Sequence, residues 1–278
     1  AISACIWRGG ANDVASVVCP VRVTNPQAPS ALPTVVVKGQ NGAPVRSEVG
    51  VPSASAGFVF LSYLEDPGES ANPISGQNVR SRAWLQVLDF RSSGSPVVRD
   101  RVSIPGELAT VAEVDDRGAI LLTVDPGRNT FRACAYDGSG AFQMDTWSSP
   151  SEVSAFTPAQ GAGIFLGRSA PNAQQISSLR FDSSSGRFRV AASLNLPHAV
   201  YELAARGNLL LASQWGKVSV TPIGATGTFG RTVTLDTDAN LWIQLARSTV
   251  RPGLGVLLPA GAYGVEFLVV PPPVGTLR

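Results

Sequence analysis

Four residues of this sequence have side chains that can do acid–base or metal chemistry if folding brings them together: Glu107, Glu152, His198 and Asp238. Carboxylates are oxygen ligands for a hard divalent cation such as calcium, and a carboxylate next to an imidazole can act as an acid and base pair. His198 is the single histidine of the chain, which excludes any site that needs two. Ordinary roles remain open, because carboxylates also cap turns and a histidine can pack at the edge of a sheet.

A second group of side chains suits recognition rather than chemistry. The short polar stretches "DPGRN" (125–129), "RSAPNAQQ" (168–175) and "SQWGK" (213–217) supply Arg128, Arg168, Asn172 and Trp215. Arginine and tryptophan are enriched at the contact points of protein interfaces. Together they predict a rim that recognises a protein or glycan surface, and each of them alone is also typical of a solvated loop.

A long polar segment, "LEDPGESANPISGQNVRSRA" (64–83), separates two apolar runs and carries Glu65 and Asp66. Loops of this length in a compact domain are often functional, although mobility alone also explains them. We interpret the segment as an insertion that adds negative charge to the predicted ligand face.

Catalytic motifs are otherwise missing from the sequence. It contains no Gly-x-Ser-x-Gly elbow, phosphate loop, His-Glu-x-x-His or Cys-x-x-Cys pair. The stretch "DTDAN" (236–240) lacks the glycine and the distant glutamate of a calcium loop and predicts a turn, and "EVDDRG" (113–118) predicts a hairpin tip. We therefore assign no catalytic residue and expect no cofactor, with a divalent cation such as calcium as the alternative.

The elements that position these residues repeat along the chain. The pattern of strand, glycine-centred turn and strand seen in "LQVLDFRSSGSPVVRDRVSIPGEL" (85–108) recurs four more times. Its turn glycines are Gly42, Gly94, Gly140, Gly186 and Gly227, and the closing positions are Pro52, Pro105, Pro150, Pro197 and Thr237. Glycine permits the positive φ of a tight turn, and proline marks where strand pairing stops. Two further apolar runs between successive hairpins give four strands per repeat.

A four-stranded repeat of about 45 residues is typical of a β-propeller, because each blade must stack on its neighbours to bury both faces. The sequence thus predicts an all-β fold, a single-domain propeller rather than a β-sandwich. We predict six four-stranded blades, the last of which is closed by the N-terminal strand. Five blades, seven blades or a piece of a larger ring are the alternatives. The predicted blades are residues 12–50, 51–104, 105–149, 150–196, 197–237, and 238–273 together with 2–8.

The strand "LQVLDF" also resembles the hydrophobic signature of LVIVD-type repeats and of secreted bacterial propellers that are distantly similar to WD40 proteins. The resemblance extends from about residue 33 onward, and the Gly-His and Trp-Asp pairs of WD40 proteins are absent. It implies the architecture and assigns no functional residue.

Strand order places the candidate residues. Antiparallel strands alternate in direction, so the loop between a blade's second and third strands lies at the same end as the connection to the next blade. This end would carry the carboxylates, His198, the arginines, Trp215 and the 64–83 insertion, and we expect it to be the ligand face.

Charge and composition limit the classes of partner that the chain can bind. The net charge of +2 is spread along the chain without a basic cluster, which argues against nucleic acid as a partner. The sequence contains no run of about 18 to 20 apolar residues, so we expect no membrane insertion. The opening "AISAC" suits a mature exported protein, and Cys5 and Cys19 are spaced for a disulfide, with two buried thiols as the alternative. We expect an extracellular, cell-surface or periplasmic location.

Two functions from different classes are consistent with the sequence. The first, which we favour, is a non-enzymatic binding or assembly module that presents its loop-rich face to a protein or glycan. Such a module could be part of a larger assembly. The second is a metal-assisted hydrolase or lactonase-like enzyme with its site at the mouth of the central channel.

Overall fold

A computed structural model gives the structure of part of the chain. It describes residues 2–8, 16–22, 27–28, 30–39, 53–65, 82–91, 96–115, 118–125, 127–159, 161, 163–170, 173–237, 245, 249–251, 255–259 and 265–269. These residues form two compact units, Ala1–Trp147 and Ser148–Arg278.

The first unit contains three four-stranded antiparallel sheets. The first sheet is β1 (Ile2–Arg8), β2 (Ser16–Arg22), β3 (Ser30–Ala31) and β4 (Val35–Val36). The second is β5 (Ser53–Ser55), β6 (Phe58–Glu65), β7 (Arg82–Asp89) and β8 (Val97–Ile104). The third is β9 (Glu107–Val114), β10 (Ala119–Val124), β11 (Thr130–Tyr136) and β12 (Ala141–Ser148).

The second unit continues the same pattern. Its first sheet, the fourth of the chain, is β13 (Val153–Ala159), β14 (Gly163–Ala170), β15 (Ala173–Asp182) and β16 (Arg187–Leu196). The fifth sheet is β17 (Glu202–Arg206), β18 (Leu209–Gln214), β19 (Lys217–Pro222) and β20 (Val233–Asp236). The sixth has three described strands, β21 (Thr249–Arg251), β22 (Gly255–Pro259) and β23 (Val265–Leu268).

The predicted all-β propeller fold is confirmed, with five four-stranded blades. In the second to fifth sheets each strand pairs with the next one along the chain, so one sequence repeat makes one sheet. Successive sheets within a unit bury apolar faces against each other, as expected for strands whose two faces must both be covered. In β7, for example, Leu85 and Val87 belong to the core shared with the third sheet, whereas Leu88 belongs to the core shared with the first.

The prediction of six four-stranded blades, the last one closed by the N-terminal strand, is wrong. Strand β1 pairs with β2 over its whole length, from Ile2 opposite Arg22 to Arg8 opposite Ser16. A hairpin between neighbouring strands costs less loop-closure entropy than a pairing between the chain ends. The N-terminal strand therefore belongs to the first sheet and leaves three described strands in the sixth.

The turn glycines are partly as predicted. Gly186 and Gly227 have φ of 67° and 83° and occupy the predicted turns. In the third repeat the positive φ, 89°, falls on Gly138 rather than on Gly140. Asp137 explains the shift, because its Oδ1 accepts hydrogen bonds from the backbone N of Ser139 and Gly140 and so organises the turn itself. Gly42 and Gly94 lie outside the described residues.

Cys5 and Cys19 are directly opposite each other in the β1–β2 register. No disulfide bond is present among the described residues. The pairing of these two cysteines therefore stays a prediction, now with a specific cross-strand geometry.

Among the described residues no helix is long and apolar enough to cross a membrane.

Candidate functional site

In the second to fifth sheets, the connection between the second and third strands lies at the same end as the connection that leaves the fourth strand. We call this the loop end of a sheet and the opposite end the hairpin end. The predicted ligand-face residues that the structure describes all lie at loop ends.

At the loop end of the fifth sheet, Trp215 occupies the two-residue turn between β18 and β19. Its side chain is 73% exposed. Gly216 has φ of 62°, which a residue with a side chain rarely adopts, and its carbonyl accepts a hydrogen bond of 2.9 Å from the backbone N of Thr237. The bond continues the pairing of β19 with β20 into the turn, so the exposed indole projects from a fixed backbone.

Tyr201 lies beside this turn, in the connection between the fourth and fifth sheets. It is 55% exposed, and its backbone N donates to the carbonyl of Ser213 at 3.0 Å. The preceding residue, Val200, is fully buried, and its carbonyl accepts a 2.7 Å hydrogen bond from Ser154 Oγ in the fourth sheet. The backbone that carries Tyr201 is therefore held by both sheets.

Close approach to the fourth sheet helps to fix this connection. A Cβ atom added to Gly167 would lie 3.0 Å from Val200 Cγ1, so the absence of a side chain at residue 167 lets Val200 pack there. His198, in the same connection, is exposed. The fifth sheet thus collects His198, Tyr201 and Trp215 at one end.

The fifth sheet also carries a row of polar side chains that crosses β18, β19 and β20. Gln214, which precedes Trp215, is 5% exposed, and its Nε2 donates to Ser219 Oγ. Ser219 Oγ in turn lies 3.0 Å from Thr234 Oγ1. The Oε1 atom of Gln214 is buried and has no hydrogen-bond partner among the described residues.

The charged side chains described at this end are neutralised or engaged. Lys217 and Asp236 form an ion pair across β19 and β20. Glu202 Oε2 accepts a hydrogen bond of 3.0 Å from the backbone N of Leu245. The described charged groups beside Trp215 are thus an ion pair and a carboxylate that accepts a backbone hydrogen bond.

At the loop end of the fourth sheet, Arg168 belongs to a network of neutral groups. It donates to Gln175 Oε1 and, at 2.6 Å, to Ser177 Oγ. Gln175 Nε2 donates to Asn195 Oδ1 at 3.2 Å. Burial lowers the pKa of the Arg168 guanidinium. Glu152 is exposed just before β13, and the described residues show no ion pair between it and Arg168.

The loop end of the third sheet holds Glu107 and Arg128. Glu107 begins β9 half-buried, opposite Val124, and Arg128 is exposed with φ of 57°. Asp125 organises the turn, because its Oδ1 accepts hydrogen bonds from the backbone N of Asn129 and Thr130 at 3.1 and 3.2 Å. Arg128 therefore projects from an ordered turn.

The remaining predicted residues lie outside what the structure describes. Asp66, Asn172 and Asp238 are not described, nor are the side chains of Glu65, the last residue of β6, and Cys5. Within the described part of the chain, no three His, Cys, Asp or Glu side chains form a group that could hold a metal ion. The grouping of Glu107, Glu152 and Asp238 with His198 therefore stays a prediction.

The sequence did not indicate Tyr201, Gln214 or Asn195. Tyr201 had one available signal, an aromatic residue four positions after the repeated proline Pro197. The burial of Gln214 depends on packing between strands, which the sequence does not show.

The first unit also has a cavity of about 160 Å³ at the hairpin end of its third sheet. Its lining includes Arg99, Asp115, Tyr136 and Asp137. Asp115 Oδ1 accepts a hydrogen bond from the backbone N of Gly118 at 2.8 Å, which confirms the hairpin tip predicted at 113–118. The pKa of Asp137 is lowered, chiefly by the hydrogen bond from Ser139. Both carboxylates thus serve turns.

Comparison with known proteins supports the fold alone. No protein family and no curated protein sequence matches the chain. Among solved structures, a functionally unknown protein from Desulfotomaculum acetoxidans DSM 771 is similar, with a TM-score of 0.52 and 14% identity over 88% of this chain and 72% of that one. A protein from Lactobacillus plantarum is similar at a TM-score of 0.51 and 15% identity, over 96% of this chain and 80% of that one. The resemblance to LVIVD-type and WD40 proteins stays a prediction.

Proposed function

We propose that this protein is a non-enzymatic binding module that presents the loop ends of its blades to a protein or glycan partner. The observation that carries the proposal is the pair of exposed aromatic side chains, Trp215 and Tyr201, on an anchored backbone at one loop end. Tryptophan and tyrosine supply large contact areas at a low cost in conformational entropy.

Rigidity supports a binding role. The Trp215 turn is tied to Thr237, and the Tyr201 connection is tied to both Ser213 and Ser154. A surface that is ordered before contact loses less entropy on binding, so more of the contact energy appears as affinity. An exposed tryptophan on a mobile tail would not offer this advantage.

The hydrolase alternative is not favoured by any observation on the described residues. Glu107 and Arg128 lie at the loop end of the third sheet, Glu152 and Arg168 at that of the fourth, and His198 at that of the fifth. The described serine hydroxyls that donate to a carboxylate, Ser139 to Asp137 and Ser184 to Asp182, lie in exposed hairpin turns. We propose that binding requires neither a cofactor nor a metal ion.

We further propose an extracellular, cell-surface or periplasmic location, where the module could join a larger assembly. Support comes from Cys5 and Cys19, which face each other across two paired strands. Cross-strand disulfides persist in oxidising compartments and are rare in the cytosol.

Screening tests the binding role. The wild-type protein and Trp215→Ala are compared on arrays of glycans and of purified extracellular proteins, with EDTA present in a parallel screen. We expect binding to members of one array, a loss of affinity of at least about tenfold in Trp215→Ala, and no effect of EDTA. Phe142→Ala is the matched control, because Phe142 is 58% exposed on β12, away from any loop end.

Two results would contradict the proposal. One is the absence of binding on both arrays. The other is binding that Trp215→Ala and Phe142→Ala weaken equally, which would indicate contact through unspecific apolar exposure.

A further inference from the structure

We propose that the cavity of about 160 Å³ between the second and third sheets binds a small zwitterion, an α-amino acid with an apolar side chain. The cavity lies at the hairpin end, whereas the proposed partner surface lies at the loop ends, so this inference goes beyond the proposed function. It depends on three observations: the charges of the two cavity walls, the apolar floor between them and the size of the cavity.

The wall that the second sheet contributes carries positive charge. Arg99 lines the cavity from β8, where it is exposed, and its guanidinium carbon lies 5.4 Å from the centre of the Phe58 ring. The carboxylate of Asp89 is held by Arg91 in an ion pair of 2.8 Å. The pKa of Asp89 is lowered first by the hydrogen bond from Arg91 and last by the charge of Arg99. Two guanidinium groups thus share one described carboxylate, and Arg99 forms no ion pair with a described residue.

The wall that the third sheet contributes carries negative charge. Two exposed carboxylates, Asp115 and Asp137, line the cavity on this side. The turn bonds of Asp137 all use its Oδ1 atom, which accepts from the backbone N and Oγ of Ser139 and from the backbone N of Gly140. Its Oδ2 atom accepts no hydrogen bond from a described residue. This oxygen is therefore available to the ammonium group of a ligand.

An apolar floor joins the two walls. Phe60 of the second sheet is in edge-to-face contact with Tyr136 of the third, with ring centres 6.4 Å apart and an angle of 89° between the planes. The ring of Phe58 lies 6.0 Å from that of Phe60. Val87 and Val114 complete the apolar part of the lining. Such a floor suits the side chain of an apolar amino acid, because small-molecule sites combine apolar contact with a few placed polar groups.

Size and charge together select the class of ligand. Sites for drug-sized molecules have volumes of about 300 to 1,000 Å³, so a cavity of about 160 Å³ admits a smaller molecule. A ligand charge that leaves water requires a partner of opposite sign. A simple anion would leave the carboxylates of the third-sheet wall unpaired, and a simple cation would leave Arg99 unpaired. A zwitterion satisfies both walls, since its carboxylate accepts charge-assisted hydrogen bonds from Arg99 and its ammonium group donates to Asp137.

Saturation-transfer NMR titrations of the wild-type protein with L-leucine and L-valine test the inference. Each amino acid is compared with the amine of the same carbon skeleton that lacks the carboxylate, and with the carboxylic acid that lacks the ammonium group. For leucine these analogues are 3-methylbutylamine and 4-methylpentanoate. We expect at least one of the two amino acids to bind, and to bind at least about tenfold more tightly than its analogues, because each analogue leaves one wall without a partner.

Two cavity variants have matched controls in the fourth sheet. Arg99→Gln removes the positive charge, and its control is Arg189→Gln, since Arg189 is exposed on the fourth strand, β16. Asp137→Asn removes the negative charge and keeps an Oδ1 acceptor for the turn. Its control is Asp182→Asn, because Asp182 Oδ1 accepts the equivalent bonds from the backbone N and Oγ of Ser184. Affinity should fall at least about tenfold in the two cavity variants and remain within about twofold in the controls.

Three results would overturn the inference: no binding of either amino acid, an analogue with a single charge that binds as tightly as its amino acid, or equal weakening by the cavity variants and their controls. The comparison of ligands uses the wild type alone, so it remains decisive for any variant that does not fold. None of these results bears on the loop ends, which the array screen tests separately.

Discussion

At the scale of single residues, Cys134 shows how burial changes chemistry. Its thiol is fully buried in the core between the second and third sheets. Burial raises the pKa of this thiol to about 11, because the charged thiolate would lose its hydration, while a hydrogen bond with Thr123 acts in the opposite direction. The cysteine therefore behaves as a small apolar side chain at neutral pH.

The raised pKa predicts a loss of stability in alkali. An unfolded cysteine ionises at about pH 9, so the thiol contributes fully to stability below that pH and its contribution is lost as the pH rises toward about 11. With about 1.4 kcal/mol per pKa unit, the expected change is about 3 kcal/mol. Urea denaturation of wild type and Cys134→Ala across this range measures it. The free-energy difference between the two proteins should shrink at high pH; a constant difference would refute the prediction.

Residue types at the site were partly predictable. Trp215, Arg128 and Arg168 were identified because large or charged side chains in short polar loops usually reach solvent. Exposure of Trp215 and Arg128 agrees with that reasoning, whereas Arg168 is half-buried among Gln175 and Ser177. Whether a loop arginine points outward or folds back depends on partners from other strands, which sequence alone does not show.

At the scale of elements, turn geometry is set by how closely strands approach each other. Gly118 directly precedes β10 in the β9–β10 hairpin. A Cβ atom added there would lie 1.9 Å from the carbonyl oxygen of Tyr136. Gly127, in the turn after the same strand, has only Asp125 Oδ1 nearby, at 3.9 Å. Neither glycine has a positive φ, so the two differ in space and not in backbone conformation.

We predict opposite outcomes for alanine at these two glycines. Gly118→Ala forces backbone away from backbone and should lower the free energy of unfolding by about 2 to 3 kcal/mol. Gly127→Ala meets open space and should stay within about 0.5 kcal/mol of the wild type. Urea denaturation of both variants measures the difference. Equal effects would show that the hairpin of the third sheet relaxes freely around Gly118.

At the scale of the whole molecule, the position of the N-terminal strand decides the blade count. Directly opposed residues in antiparallel strands have Cα atoms about 4.5 to 5.5 Å apart, within the range that a disulfide spans. Because Cys5 is opposite Cys19, we predict that the two form a disulfide when the protein matures in an oxidising compartment.

Peptide mass mapping without reduction detects this disulfide. We expect a Cys5–Cys19 linked peptide, with Cys134 alkylated only after unfolding because its thiol is buried. Reduction should lower stability by about 3 kcal/mol, the chain-entropy estimate for a loop of this size. Finding both Cys5 and Cys19 reactive in the exported, unreduced protein would contradict the predicted disulfide.

The sequence alone determined the repeat, and the repeat determined the fold class. Its glycines, prolines and apolar runs recur about every 45 residues, and local physics suffices to turn each recurrence into a four-stranded sheet. Only the tertiary structure decided that β1 pairs with β2, that Tyr201 bonds to the backbone two residues before Trp215 and that the side chain of Gln214 is buried. Those facts depend on which distant groups meet, and many pairings are compatible with the same local pattern until the packing of neighbouring sheets selects one.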